Sequence, residues 1–234
     1  MLNQNLNYER LSVDFSRNGR YQIENFLTLE AAETLYQCLA TEVRWDLAYQ
    51  KGTSGATLSK AVFDSMNRGE RNAFMQNIHL TARDGYQFAF NSYMMITAYR
   101  EQRDPNLYLH KATEFLNSQE CLKCIRSITG VDNIIRANAQ ATRYLPGHFL
   151  KQHTDDYVER GRELAYVINL TKNWQAHWGG LLQFMDSDGK VIDTFLPRFN
   201  TLSLFRVPTS HCVSLVAPFA TSARYSITGW FLSC

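Results

Sequence analysis

Arg224-Tyr225-Ser226-Ile227-Thr228-Gly229-Trp230-Phe231 is the stretch on which the fold turns. In an extended chain successive side chains leave opposite faces. Arg224, Ser226, Thr228 and Trp230 therefore share one face, while Tyr225, Ile227 and Phe231 share the other. One face is polar where the interior of a β-barrel is normally apolar. A buried arginine is too costly to keep unpaired, so either a protein carboxylate or a bound acid must answer it.

Upstream, the chain from Gly130 onward is a succession of short β-branched and aromatic runs. Residues 134–144, 163–171, 180–185, 190–195, 201–207, 211–216 and 223–231 are strand candidates, with Asp186-Ser187-Asp188-Gly189 as a hairpin turn. Many short strands in succession predict a sandwich or barrel. The first 133 residues are instead mostly helical in pattern. Thr28 caps a helix over 29–40, a second helix spans roughly 67–82, and Asp104-Pro105 opens a helical region running to about Thr129. Trp45, Leu47 and Tyr49 alternate as in a half-buried strand, and 88–100 is expected as another. No Pro/Gly-rich linker separates the halves. The expected architecture is α+β, mainly β: a jelly-roll core over 134–234, with an N-terminal helical support region over 1–133 packed on it as one unit.

Composition excludes several classes. With 45% hydrophobic and 20% charged residues, the 234-residue chain has neither the signature of disorder nor that of a fibrous repeat. A formal charge of +2 with no basic cluster counts against a nucleic-acid partner. The polar start MLNQNLNYER lacks the basic-then-apolar pattern expected of a secretory signal, and no apolar run approaches the roughly 18 residues of a membrane helix. Five scattered cysteines suit free thiols in a reducing compartment, so a cytoplasmic location is expected. Cys121-x-x-Cys124 has metal or redox spacing but lacks a second Cys or His pair to complete a site.

The candidate chemistry lies in His153-Thr154-Asp155 and His211. Two positions apart on an extended strand, His153 and Asp155 project to the same face. His211 opens another strand. Two imidazoles and one carboxylate cap one face of a divalent iron and leave the other open, unlike a closed structural zinc site. A solvated Lys-Gln-His-Thr-Asp-Asp turn is the competing interpretation of the first pair. Asp156 is expected to point away from the metal, and His148 and His177 lack a carboxylate at the matching spacing. Arg224 supplies a fork of donors matched to the far carboxylate of a dicarboxylic co-substrate, unless it is a structural ion-pair residue.

Taken with 163–184, 190–207, His211 and 223–231, these residues resemble the catalytic domain of the 2-oxoglutarate and Fe(II)-dependent prolyl hydroxylases. The likeness is to the ribosomal-protein branch and, further off, to the hydroxylases of hypoxia-inducible factor, over roughly residues 134–232. The resemblance implies a double-stranded β-helix fold and makes His153, Asp155 and His211 the iron ligands. It pairs Arg224 with the C5 carboxylate of 2-oxoglutarate and matches Tyr144 and Leu182 to the walls of that pocket, although Tyr144 would serve equally as a core residue. Asn169 stands where the oxygen-sensing branch has a tyrosine, so the carboxylate would rely more on Arg224, Tyr144 or Thr228. The implied partners are dioxygen, ascorbate as reductant, and a protein or peptide containing proline, with a ribosomal protein or translation factor as an attractive target. The alternatives are oxidation of a free amino acid or other small molecule, and a catalytically silent jelly roll serving as a 2-oxoglutarate sensor or scaffold.

Overall fold

A computed structural model describes residues 1–155 and 161–234. Its frame is set by strands that are buried on both faces. Strand β8 (Arg162–Asn169) sends Leu164, Tyr166 and Ile168 into the main core and Ala165 and Val167 the other way. Strand β13 (Arg224–Leu232) does the same, with Ile227 and Phe231 in the main core and Arg224, Ser226, Thr228 and Trp230 lining a cavity. The polar face anticipated from alternation is therefore the inside of the barrel.

The remaining strands are β1 (Arg20–Glu24), β2 (Asp46–Lys51), β3 (Ser54–Leu58), β4 (Phe88–Tyr93), β5 (Arg136–Ala137), β6 (Gln140–Tyr144), β7 (Phe149–His153), β9 (Leu182–Met185), β10 (Val191–Phe195), β11 (Thr201–Arg206) and β12 (His211–Val213). They form one nearly closed antiparallel sheet in the order β1-β11-β8-β13-β6-β4-β7-β12-β9-β10. Strand β2 pairs with β4 and with β3, and β5 pairs with β13. The two ends approach each other at Arg20, whose Nε donates to Asp193 at 2.8 Å. This is a jelly roll.

Helices pack on the outside of the sheet. They are α1 (Tyr8–Asn18), α2 (Leu29–Gln37), α3 (Lys60–Ser65), α4 (Arg68–Thr81), α5 (Met95–Arg100), α6 (Leu109–Leu116) and α7 (Gln119–Thr129). Most of them pack in the main core and α4 separately, where Ile78 meets Ala89 and Phe149. Leu35, Leu39, Leu116, Ile125 and Ile128 pack in one cluster with Leu164, Tyr166, Leu202, Leu204 and Phe231 of the sheet. Burying one apolar stripe per helix against the sheet supplies most of the helices' stability. Helix ends follow local rules: Ser118 Oγ accepts from Cys121 N to start α7, and Asn67 with Glu70 forms a capping box at α4.

The N-terminal half departs from expectation in three places. Residues 88–100 are not one strand: β4 stops at Tyr93 and α5 follows, burying Met95 and Ala98 at helical spacing inside the same apolar run. Asp104 does not cap a helix. It has φ +49° and its carboxylate accepts from Tyr93 Oη at 3.0 Å, so α6 begins only at Leu109, and Ser118 restarts the chain as α7. Strands β1 and β3 and helix α1 were not anticipated. The sheet also runs across residue 134, because β1 pairs with β11 and β4 lies between β6 and β7.

Gly229 marks the tightest contact on β13. A Cβ there would sit 2.1 Å from the Asn138 carbonyl oxygen, while Asn138 also bonds the Trp230 backbone in both directions. Gly229→Ala is expected to cost about 1–3 kcal/mol through overpacking. A melting temperature equal to wild type would show that β5 and β6 yield freely at this point.

Candidate active site

His153 ends β7 and His211 opens β12, and the two residues face each other directly in the β7–β12 ladder. Directly opposed positions place side chains close enough to share a ligand. Their ring centroids are 4.2 Å apart. The strand stops at His153, so Asp155 lies just beyond β7 rather than on it, and its carboxylate sits between the two imidazoles. Its Oδ1 lies 3.8 Å from His153 Nε2 and its Oδ2 3.8 Å from His211 Nε2. All three ligand atoms fall within 4.8 Å of one another, and no other group of this kind occurs among the described residues. Asp156, the neighbouring carboxylate, lies outside the described residues. His148 and His177 are elsewhere: His148 is buried, and His177 stacks on exposed Phe219.

The imidazoles are oriented by the backbone. His153 Nδ1–H donates to Lys151 O at 2.9 Å, and His211 Nδ1–H donates to Thr209 O at 2.8 Å. Each bond leaves the Nε2 lone pair free toward the shared point, as metal ligation requires. Burial, followed by the neighbouring His153, pushes His211 down to about 4 despite the opposing pull of Asp155. It is therefore neutral at physiological pH.

Arg162 was not singled out from sequence. Its Nη1 stands 3.6 Å from Asp155 Oδ1, and its guanidinium lies 3.6 Å from the centre of the Trp230 ring. It lies seven positions after Asp155 in the chain, so no local periodicity pointed to it. It steadies the carboxylate through charge while its own plane is held by the indole.

The triad opens into a cavity of about 820 Å³, also lined by Tyr144, Leu182, Arg224, Ser226 and Thr228. Arg224 is 2% exposed, and its Nε and Nη1 have no hydrogen-bond partner. Burial holds its guanidinium below its usual range. Its paired residue across the ladder is Tyr144, whose ring centre is 4.9 Å from the guanidinium carbon. Burial raises the Tyr144 hydroxyl above the usual phenol range, so it remains a neutral donor. No protein carboxylate answers Arg224 among the hydrogen bonds and ion pairs of the described residues. The cradle fits an anion from outside, and the two-imidazole, one-carboxylate donor set fits a divalent iron.

Two expected contributors are differently placed. Asn169 does not line the cavity: its amide donates to Thr201 Oγ1 at 3.1 Å and Ser203 Oγ at 3.2 Å, tying β8 to β11. Thr228 lines the cavity, but its hydroxyl donates to Tyr166 O at 2.9 Å. A row of rings joins Tyr86, Phe88, Phe90 and Tyr144 at successive centroid distances of 5.8, 5.4 and 5.3 Å. These aromatic residues, like Thr142 two positions before Tyr144, were legible by alternation along β4 and β6 once those strands were known to face inward.

His148 provides a measurable consequence of burial. Desolvation pushes it down to about 4 from the usual 6.5 of a free imidazole, so below pH 6.5 the unfolded chain binds a proton that the folded chain does not. Folding stability is then complete above about pH 6.5 and falls as pH drops toward 4. In metal-free protein, His148→Gln should flatten this slope, with His211 supplying the remainder. An unchanged melting profile from pH 4 to 7 would contradict it.

Residues 139–232 match the sequence model of the 2OG-Fe(II) oxygenase superfamily. Prolyl hydroxylases are among its relatives. The mouse (Mus musculus) prolyl 3-hydroxylase OGFOD1 is 32% identical over 114 residues, covering 46% of this chain and 20% of that protein. The chain thus spans about one fifth of the length of that relative. A prolyl-4-hydroxylase of Pseudomonas putida superimposes with a TM-score of 0.59 at 18% identity, over 96% of this chain and 98% of that one. A prolyl hydroxylase from Trichoplax adhaerens, solved with a hypoxia-inducible-factor peptide, gives 0.62 at 17% identity, over 97% and 89%. Both show the jelly-roll fold.

Proposed function

We propose that this protein is a 2-oxoglutarate- and Fe(II)-dependent dioxygenase that hydroxylates a prolyl residue of a polypeptide. The observation that carries it is the unanswered guanidinium of Arg224 in the same cavity as His153, Asp155 and His211. His153, Asp155 and His211 would hold the iron, and Arg224 with Tyr144 would hold the far carboxylate of the co-substrate. Bound together, iron and 2-oxoglutarate supply the oxidising chemistry that activates dioxygen for attack on a C–H bond. The chain's own part is positional. Backbone carbonyls fix both imidazoles, Arg162 steadies Asp155, and Leu182, Val167 and Phe205 give the cavity an apolar wall that limits water.

Proline as the target is supported by the names of the relatives, and by the aromatic side of the cavity, which suits an apolar ring. A ribosomal protein or translation factor belongs to the same proposal, as does ascorbate as external reductant. No helix among the described residues is long and apolar enough to cross a membrane. The five free cysteines support a cytoplasmic setting.

Adding Fe(II) and 2-oxoglutarate without oxygen should produce the weak visible absorption of the chelate; its absence would favour a silent binding protein. Lysate proteins treated with the enzyme should then gain one oxygen on proline. Oxygen gained by free amino acids and by no protein would overturn the prolyl assignment.

A further inference from the structure

Between β8 and β9 the chain runs Trp174-Gln175-Ala176-His177-Trp178-Gly179-Gly180, a segment that lines none of the catalytic cavity but packs behind Arg224. Gly180 is the point of contact. A Cβ there would lie 3.1 Å from Trp174 Cζ2, 3.2 Å from Val216 Cγ2 and 3.5 Å from Arg224 Cδ, so bare backbone is wedged between the indole and the aliphatic stem of the arginine. Gly180 is buried with φ +62°, a conformation that other residues adopt only with strain.

The wedge is tied in place from behind. Trp174 Nε1–H donates to Gly179 O at 2.9 Å, and Gly180 N donates to Ser214 O at 3.1 Å. Trp174 and Val216 share one apolar cluster with Tyr144, whose ring centre stands 4.9 Å from the guanidinium carbon. Arg224 Nε and Nη1 have no hydrogen bond to aim them, so the reach of this side chain is set by packing, with Gly180 against the stem and Tyr144 against the head. The other wall of the cavity is fixed independently, because backbone carbonyls hold His153 and His211. An acid gripped at both ends is selected by its length only when both anchors hold still.

We propose that Trp174 is a positioning residue for co-substrate selection: through Gly179 and Gly180 it sets how far the Arg224 guanidinium reaches into the cavity, and so restricts the site to a five-carbon 2-oxo diacid. The inference rests on the reading of Arg224 as the anchor of 2-oxoglutarate and adds the residue that fixes its depth. Two substitutions should move that depth in opposite directions. Trp174→Phe removes the indole donor and the ring edge behind Gly180, so the backbone and the stem that leans on it draw back and a longer acid fits better. Gly180→Ala sets a methyl group against the stem, which pushes the guanidinium inward and favours a shorter acid.

The test titrates the full chain, loaded with Fe(II) and kept free of oxygen, with oxaloacetate, 2-oxoglutarate and 2-oxoadipate, and reads the visible absorption of the chelate. Wild type should bind 2-oxoglutarate about tenfold or more tighter than either neighbour in the series, the discrimination that one methylene gives in a rigid site. Trp174→Phe should weaken 2-oxoglutarate about tenfold and narrow its lead over 2-oxoadipate, whereas Gly180→Ala should narrow its lead over oxaloacetate. Both variants should reach the wild-type absorption at saturation, because the iron donors are untouched. Trp178→Phe, in edge contact with Trp174 at 5.2 Å but further from Gly180, should keep the wild-type ratios whatever it does to the melting temperature. Wild-type affinities and ratios in both Trp174→Phe and Gly180→Ala would overturn the inference and leave the role of Arg224 standing. So would equal weakening of all three acids, the mark of a merely structural residue, or a shift in Trp178→Phe as large as that in Trp174→Phe. No absorption from wild type with any of the acids would overturn the co-substrate reading as well.

Discussion

Asp155→Ala is expected to abolish 2-oxoglutarate turnover while leaving the fold in place. The carboxylate supplies the single anionic donor of the triad, and both imidazoles approach it at 3.8 Å. Without it, two neutral donors remain for an ion that needs three. The loss should be at least about a thousandfold, exceeding what removal of one stabilising donor costs in other active sites. The fold should survive because Asp155 sits after the end of β7 and takes no part in its ladder. Arg162 loses its 3.6 Å partner but keeps its stack on Trp230. Far-ultraviolet circular dichroism and the melting temperature of the metal-free variant should match wild type closely, and His153→Ala should behave likewise. Substantial turnover in either variant would remove the basis for a metal at this position.

Arg224→Leu should separate co-substrate binding from stability. If the guanidinium waits for a dicarboxylate, removing it leaves the bound acid without its partner, a loss of about 3–5 kcal/mol, or roughly two to three powers of ten or more in affinity. The effect should appear as a raised KM or Kd for 2-oxoglutarate. In the absence of ligand the sign is different. Arg224 is buried with Nε and Nη1 unsatisfied, so an apolar side chain there should leave stability unchanged or higher. 2-Oxoglutarate should raise the melting temperature of wild type by mass action and fail to do so in the variant. Arg224→Lys should rescue poorly, because a point charge does not reproduce the two-point fork. An unchanged affinity in Arg224→Leu would mean that the arginine is structural.

The site was legible where its logic is local. Alternation alone placed Arg224, Ser226, Thr228 and Trp230 on the inner face, and the spacing of His153 and Asp155 anticipated their convergence. Asn169 shows the limit of positional likeness: it has the right place in β8, but Thr201 and Ser203 on the neighbouring strand take its amide. Arg162 shows a different limit, since its relation to Asp155 is created by the chain's return as β8 and leaves no periodic trace. In the N-terminal half, an apolar run such as 88–100 carries strand and helix patterns at once, and only the packing of Met95 and Ala98 separates them. Strand β3, Ser-Gly-Ala-Thr-Leu, is short and mostly exposed with no large apolar side chain before Leu58, so little in its composition distinguished it from a loop.

By itself, then, the sequence determined the β-rich jelly roll, the three candidate metal ligands and the inward-facing cation, because these depend on side-chain period and on chemistry that few residue types can perform. The tertiary structure alone decided which neighbours complete the site. The pairing of His153 with His211, the approach of Arg162 to Asp155 and the recruitment of β1 and β4 into the sheet are contacts between segments distant in the chain. Such contacts are set by the closure of the barrel, and closure depends on the simultaneous packing of all its strands.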